Sequence, residues 1–130
     1  MSNEQELIDA ARSARERAFA PYSNFRVGAA VRTKSGKVFS GCNIENATLG
    51  LTICAERVAI LKGVSEGERE FDTIAVVTDT EKLTPPCGPC RQIIWEFCGD
   101  IPIVLVNLKG KIERTTTHSL FPHPFDRSFL

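Results

Sequence analysis

The sequence predicts an α/β fold in three layers, α/β/α, with a mixed five-stranded sheet covered by helices on both faces. From residue 52 onward, segments with helical spacing alternate with short apolar runs of strand length. The continuous apolar runs 73–78 and 101–107 are typical of strands buried on both faces, and 112–116 has the pattern of a polar edge strand. A chain of 130 residues is expected to form one domain, spanning 1–130.

The first third of the chain predicts one helix and a hairpin. Residues 3–19 carry apolar side chains at helical spacing among charged ones, and Pro21 ends that helix. Runs of small and β-branched residues at 25–33 and 37–42 are separated by a Ser-Gly turn and indicate two antiparallel strands. The following segment, 43–51, has no clear period and is expected to be a loop.

Two further helices are predicted where cysteines occur. One begins near Thr52 as its N-cap and ends by Gly63, which places Cys54 in its first turn. The other covers 89–98 and begins with a proline, which places Cys90 at a helix N-terminus. Because helix N-termini carry partial positive charge, both cysteines are expected to favour the thiolate form.

Three of these thiols and one carboxylate have the pattern of a catalytic metal site. Cys54 and Glu56 form C-x-E, and Cys87 and Cys90 form P-C-x-x-C. Zinc deaminases use three Cys or His ligands together with a glutamate that is not a ligand. Structural zinc sites fill all four positions with protein ligands, whereas catalytic sites leave one open for water. Cys54, Cys87 and Cys90 are therefore predicted to be the metal ligands and Glu56 the proton-transferring group.

A structural zinc site is the alternative, and it requires a fourth protein ligand. The two histidines, His118 and His123, lie in a polar or Pro-rich tail and are expected to face solvent. Cys42 and Cys98 are expected to be small packing residues.

The chain resembles the small zinc-dependent cytidine deaminases that act on free nucleosides. The likeness covers nearly the whole chain and rests on five segments: Pro21-Tyr22-Ser23-Asn24-Phe25, Val27-Gly28-Ala29-Ala30, Gly41-Cys42-Asn43-Ile44-Glu45-Asn46-Ala47, Cys54-Ala55-Glu56-Arg57 and Pro86-Cys87-Gly88-Pro89-Cys90-Arg91-Gln92. The resemblance implies a cytidine-deaminase-like fold and one Zn²⁺ per subunit. It also implies hydrolytic deamination of cytidine and 2'-deoxycytidine to uridine and 2'-deoxyuridine with release of ammonia, as in pyrimidine salvage.

The resemblance also implies roles for residues near the metal. Glu56 would act first as a base and then as an acid. Three thiolates around a dication leave excess negative charge, and Arg57 is the natural candidate to hydrogen-bond the ligand sulfurs. The same likeness assigns Arg57 that position.

Substrate contacts carry over in the same way. Phe25 matches the ring that packs on the base, and the backbone N–H of Ala55 matches the donor to the base carbonyl. Asn43 and Glu45 match the ribose binders, because an amide and a carboxylate can hold a hydroxyl as donor and acceptor together. Without the family pattern, Asn43 and Glu45 would be interpreted as turn residues.

Other positions point to assembly. Phe125 matches an aromatic residue that completes a neighbouring subunit's site, and Tyr22 lies in a similar intersubunit region, so the resemblance implies a homotetramer. Leu49 stands where many family members have Tyr, and Pro85 replaces a common Ser. Because of these two departures, the substrate rim is expected to differ from that of other family members.

Charge and composition limit the remaining function classes. Sixteen basic and sixteen acidic residues give a net charge of zero, and no basic run marks a nucleic-acid or membrane surface. The polar, acidic N-terminus lacks the features of an export signal, so a cytoplasmic location is expected, where five cysteines are metal ligands or free thiols. Two alternatives remain: a zinc deaminase of a modified nucleoside such as a nucleoside antibiotic, and a non-catalytic zinc module, against which Glu56 argues.

Overall fold

The fold is built on one mixed sheet, as the sequence predicts. The computed structural model describes residues 3–130. The strands are β1 (Val27–Thr33), β2 (Val38–Cys42), β3 (Phe71–Thr78), β4 (Pro102–Asn107) and β5 (Ile112–Thr116). Their order in the sheet is β2-β1-β3-β4-β5. Strands β3 and β4 are parallel, and the other three pairings are antiparallel.

Helices cover both faces of this sheet. They are α1 (Asn3–Arg15), α2 (Ala55–Ser65), α3 (Gly88–Cys98) and α4 (Thr117–Leu120), with single 3₁₀ turns at Leu49–Leu51 and Arg127–Phe129. Successive residues of a strand point to opposite faces. On β3, Ile74 and Val76 join the cluster that contains α2 and α3 residues, whereas Ala75 and Val77 join the α1 cluster. The three-layer α/β/α prediction is therefore confirmed.

The central strands are buried and the last strand is exposed, as their sequences indicate. Seven of the eight residues of β3 and five of the six of β4 are buried, whereas four of the five in β5 are exposed. Within residues 3–130, no helix has the length and apolar character needed to cross a membrane.

Helix α1 ends four residues earlier than predicted. Its last helical residue is Arg15. The backbone N–H of Phe19 donates to the Asn43 carbonyl at 3.0 Å, and the Phe19 carbonyl accepts from the Glu45 N–H at 2.9 Å. Because these backbone groups bond across the fold to a distant loop, they are not free for helical hydrogen bonds.

The two helices near the cysteines begin at different residues from those predicted. Thr52 is not an N-cap, because its N–H closes the preceding 3₁₀ turn on the Leu49 carbonyl at 3.0 Å. The N-cap of α2 is Cys54, which has extended backbone angles and lies just before the first turn. The N-cap of α3 is Cys87, one residue before Gly88. Each helix therefore presents a thiol at its N-cap.

Candidate active site

The N-termini of α2 and α3 bring three thiols together. The Sγ atoms of Cys54 and Cys87 are 3.9 Å apart, and those of Cys87 and Cys90 are 3.3 Å apart. All three sulfurs lie within 4.8 Å of one another, and in the described part of the chain they form the single cluster of His, Cys, Asp and Glu ligands with metal-binding spacing. All five cysteines are free thiols.

This cluster fits a zinc ion. Zn–S bonds of about 2.3 Å at tetrahedral angles place ligand sulfurs about 3.8 Å apart, which is close to the Cys54–Cys87 distance. Two helix N-termini add partial positive charge beside the thiolates. His118 and His123 are both exposed and lie outside the cluster. Three thiols without a fourth protein ligand, among residues 3–130, match the open set of a catalytic site.

The electrostatics of the cluster favour a thiolate at Cys54. A hydrogen bond from the Cys90 thiol lowers the pKa of Cys54, and the Arg57 guanidinium lowers it further. The same hydrogen bond, together with burial, raises the pKa of Cys90. Arg57 Nη2 lies 3.5 Å from Cys54 Sγ and 3.2 Å from the Thr52 carbonyl oxygen. Its Nε is buried without a hydrogen-bond partner in residues 3–130. The predicted contact of Arg57 with a ligand sulfur is therefore present in the structure.

Glu56 is a buried acid beside the thiols. Its side chain extends from the first turn of α2, and the residue is 5% exposed. Burial raises the pKa of its carboxyl group to about 7, and the nearby Cys54 thiolate acts in the same direction. Arg57 and a backbone hydrogen bond oppose this shift. A carboxyl group with a pKa near neutrality can both accept and release a proton.

A cavity of about 170 Å³ opens beside Glu56 and the sulfurs. Its wall comes from the start of β1, the end of β3 and the segments before α2 and α3. Ligands of α/β sheets commonly bind outside such strand ends. The lining residues are Phe25, Val27, Asn43, Thr52, Cys54, Ala55, Glu56, Val76, Thr78, Thr84, Pro85 and Cys87. The structure thus brings six of the predicted site residues to one cavity: Phe25, Asn43, Cys54, Ala55, Glu56 and Cys87.

Asn43 has a structural contact in addition to its place in the wall. It is 7% exposed. Its side-chain Oδ1 accepts from the Val27 N–H at 2.9 Å, and its Nδ2 donates to the Phe25 carbonyl at 2.8 Å. The amide therefore fixes the backbone that carries the Phe25 ring.

Glu45 lies apart from the cavity wall. Its Oε1 accepts from the N–H groups of Tyr22, at 2.9 Å, and Ser23, at 3.1 Å. The Ser23 hydroxyl donates to its other carboxylate oxygen. These hydrogen bonds, led by that of the Ser23 hydroxyl, lower the pKa of Glu45. In a single chain, Glu45 stabilises the Tyr22-Ser23 turn that precedes Phe25.

The two residues assigned to intersubunit contacts also lie outside this chain's cavity. Tyr22 is 55% exposed and Phe125 is 58% exposed. The Phe125 ring stacks on Phe129 with centroids 5.7 Å apart, and its carbonyl accepts from Gln92 Nε2 at 2.8 Å. Both aromatic residues are therefore positioned on the surface of the single chain.

The remaining positions named in the sequence have simple environments. Cys98 is partly buried against the cluster formed by α2, α3 and the sheet, as a packing residue should be. Leu49 is 70% exposed and lies outside the cavity wall, whereas Pro85 lines it. Of these two departures from the family pattern, Pro85 is therefore the one that forms part of the wall.

Sequence reasoning missed two polar residues of the cavity wall, Thr78 and Thr84, and interpreted a third, Thr52, only as a helix N-cap. Thr78 is the last residue of β3, and Thr84 lies in the turn-rich segment before Cys87. The available signal was positional: Thr78 ends a buried strand on the edge where α/β proteins bind ligands. Neither threonine belongs to a motif that the resemblance rests on.

Comparisons with known proteins agree with this geometry. Residues 1–106 match the family model described as the cytidine and deoxycytidylate deaminase zinc-binding region. The cytidine deaminase of Sporosarcina psychrophila is 50% identical over 127 residues, which covers 97% of this chain and 93% of that protein. The crystal structure of cytidine deaminase from Burkholderia pseudomallei superposes with a TM-score of 0.91 at 47% identity, covering 96% of this chain and 100% of that one. The blasticidin-S deaminase of Bacillus cereus is more distant, at 37% identity over 110 residues and 78% of each chain.

Fold and thiol cluster together define an α/β zinc enzyme. The chain belongs to the cytidine and deoxycytidylate deaminase family. Its resident metal is zinc, which the family's zinc-binding region and the Cys54, Cys87 and Cys90 cluster both indicate.

Proposed function

We propose that the protein hydrolyses the C4–amino bond of cytidine and 2'-deoxycytidine. One water is consumed, and the products are uridine or 2'-deoxyuridine and one molecule of ammonia. The observation that carries this proposal is the buried Glu56 carboxyl group, which lines the same cavity as the ligand sulfurs of Cys54 and Cys87. A purely structural zinc site has no need of a buried acid in an adjoining cavity.

The proton-transfer role belongs to Glu56. Zinc bound to three thiolates supplies a Lewis acid that makes water nucleophilic near neutral pH. Glu56 accepts one proton from the water whose oxygen adds to C4 and delivers it to ring N3. It then accepts the second proton from the hydroxyl now on C4 and passes it to the amine, so that the C4–N bond breaks, the C4 carbonyl forms and ammonia leaves. One carboxyl group can perform these steps in sequence, and its place in the same cavity wall as the Cys54 and Cys87 sulfurs supports this assignment.

The other wall residues bind and orient the substrate. Phe25 packs on the base, and the backbone N–H of Ala55 donates to the base carbonyl. Asn43 and Glu45 hold the sugar, with Asn43 inside the wall and Glu45 at the adjoining Tyr22-Ser23 turn. Arg57 draws charge from the ligand sulfurs through its contact with Cys54.

The working unit in this proposal is a homotetramer of chains that each form one domain over residues 1–130. Phe125 and Tyr22 complete the site of a neighbouring subunit. Their exposure supports this assignment, since large aromatic side chains on a surface are common at interfaces. Five free thiols support a reducing, cytoplasmic location.

A substrate panel tests the activity. Purified holoenzyme is incubated with cytidine, 2'-deoxycytidine, cytosine, blasticidin S and a cytosine-containing oligonucleotide, while ammonia release and ultraviolet absorbance are followed. We expect turnover of the two nucleosides, loss of turnover after zinc chelation and recovery when zinc is returned. Turnover of blasticidin S alone would replace the substrate class, and no turnover by zinc-loaded protein would favour a non-catalytic module.

A further inference from the structure

A chain of three threonine hydroxyls connects two parts of the cavity wall. Thr78 Oγ1 and Thr80 Oγ1 are 3.0 Å apart, and Thr80 Oγ1 and Thr84 Oγ1 are 3.1 Å apart. Thr78 and Thr84 line the cavity, and Thr80, which is not a lining residue, connects them through its hydroxyl. Because a hydroxyl donates one hydrogen bond and accepts others, Thr80 can donate to one neighbour while it accepts from the other.

Thr80 is itself fixed to the sheet. Its carbonyl accepts from Asn107 Nδ2 at 3.0 Å. Asn107 ends β4, is 4% exposed and pairs with Thr78 across the parallel strands. Its Oδ1 accepts from the N–H groups of Lys109 and Lys111, at 3.0 and 2.9 Å. The hydroxyl of Thr80 thus extends from a backbone that the sheet edge holds in place.

The segment 84–87 that follows is held at both ends. Thr84 bonds to Thr80, and the Pro86 carbonyl accepts from Arg91 Nε at 2.7 Å. Between these anchors lie two consecutive prolines, Pro85 and Pro86, whose rings fix φ and restrict the preceding residue. Prolines have no backbone N–H to donate. In the first half of this segment, the polar contact that the structure shows is the one between the hydroxyls of Thr84 and Thr80.

We propose that Thr80 is a positioning residue of the active site. Its hydroxyl holds Thr84, and through it the stiff segment 84–87 that places Pro85 in the cavity wall and the Cys87 sulfur beside its fellow ligands. The effect on catalysis rests on the proposed function, whereas the effect on metal retention does not. Thr80 acts through Thr84, and it is not one of the residues that line the cavity.

The test compares Thr80→Val, which keeps the shape of the side chain and removes its hydroxyl, with Thr80→Ser, which keeps the hydroxyl. Thr80→Val removes the contacts with both Thr78 and Thr84, and the contact with Thr84 is the one that holds segment 84–87. Loss of that one hydrogen bond corresponds to a change of about fivefold. We expect Thr80→Val to release zinc to a chelating dye about fivefold faster and to lower kcat/KM for cytidine by a similar factor. Most of the kinetic loss should lie in kcat, because segment 84–87 carries Cys87. The substitution leaves the predicted substrate-binding residues Phe25 and Asn43 in place. Thr80→Ser should restore both values.

Thr33→Val is the matched control. Thr33 is buried, whereas Thr80 is half-buried. The Thr33 hydroxyl also makes two contacts, with Ser35 Oγ at 2.9 Å and with the Lys37 N–H at 3.0 Å, at the far end of β1 from the cavity. We expect Thr33→Val to lower Tm while zinc release and kinetics stay at wild-type values. A double-mutant cycle with Thr84→Val should be non-additive, because both substitutions break the same contact.

Several results would overturn the proposal. It is overturned if Thr80→Val releases zinc at the wild-type rate, or if Thr33→Val changes zinc release and kcat/KM as much as Thr80→Val does. It is also overturned if Thr80→Ser does not restore zinc release and kcat/KM, or if the effects of Thr80→Val and Thr84→Val are additive. If Thr80→Val does not fold, Thr84→Val alone gives the same comparison of zinc release. If the wild-type protein does not deaminate cytidine, the proposed function fails, and zinc release still decides the role of Thr80.

Discussion

Glu56 combines burial with access to a cavity, which few carboxyl groups do. It is 5% exposed, and burial raises its pKa to about 7. A buried carboxylate costs free energy unless it is paired. The position of Glu56 therefore has no evident benefit for stability, which supports the catalytic role that we propose for it.

Replacement of Glu56 by Gln should separate catalysis from folding. The amide keeps the size of the side chain and removes its ability to exchange a proton, so we expect kcat for cytidine to fall by about 10²- to 10⁴-fold. Zinc content should stay at one per chain, and Tm should be unchanged or higher because a neutral amide avoids the cost of a buried charge. Steady-state kinetics, metal analysis and calorimetry measure the three values. Turnover within tenfold of wild type, with zinc retained, would contradict the mechanism.

At single positions, the sequence predicted which residues meet but not all of their contacts. Cys54, Cys87 and Cys90 converge as expected from their spacing and from their places at the N-termini of α2 and α3. Glu45, besides its proposed role toward the sugar, caps the Tyr22-Ser23 turn through backbone N–H groups 22 and 23 residues away in the chain. Such a contact depends on how two loops meet in space, which no local pattern encodes.

Among the secondary-structure elements, the closest approach that bears on the site is between β2 and α2. A Cβ atom added at Gly41 of β2 would lie 2.7 Å from Ala59 N, 2.8 Å from Val58 Cβ and 2.9 Å from the Ala55 carbonyl oxygen. Two of these three atoms belong to the helix backbone and cannot turn aside. The helix can lie this close to the sheet only because position 41 has no side chain.

Gly41→Ala should therefore displace α2 and impair both stability and activity. Overpacking of this kind costs about 1–3 kcal/mol. Since α2 carries Glu56 and follows Cys54, we expect a lower Tm together with a lower kcat/KM. Gly50→Ala is the control, because a Cβ atom there meets nothing within 4 Å. Thermal unfolding and cytidine kinetics measure both variants, and a Gly41→Ala protein with wild-type Tm would show that the helix adjusts without cost.

Element types were predictable, whereas three helix boundaries were not. Strand β5 has the predicted bounds because its polar run is flanked by clear turn residues. Helix α1 ends early because the backbone of Phe19 pairs with Asn43 and Glu45. The predicted N-cap Thr52 is used by a 3₁₀ turn instead. Each difference comes from backbone hydrogen bonds that compete with helix propensity and depend on tertiary structure.

At the scale of the whole molecule, the exposed aromatic residues Phe125 and Tyr22 bear most directly on how subunits assemble. In the single chain, Phe125 and Tyr22 are more than half exposed, and the cavity wall is built without them. In the proposed homotetramer, Phe125 from one subunit completes the site of another. Such sharing makes activity a property of the assembly, since no isolated chain contains a full set of contacts.

Mixed assemblies test this sharing. Phe125→Ala and Glu56→Gln should each be weakly active alone. In co-expressed mixed assemblies, a subunit with intact Glu56 can meet a neighbour with intact Phe125, so we expect activity well above the mean of the two parents. Sedimentation should give a tetramer for all three samples. Activity equal to that mean, in tetramers shown to be mixed, would place Phe125 outside the shared site.

The outer strand β5 has a consequence for how such chains can associate. Its exposed residues include Glu113 and Arg114. Arg114 Nε donates to Glu4 Oε2 of α1 at 2.9 Å. Charged side chains on an edge strand discourage a further strand from pairing with it. Continuous strand-to-strand growth, the route to fibrillar aggregates, is therefore disfavoured along this margin. We therefore expect copies of the chain to associate through surfaces other than this edge.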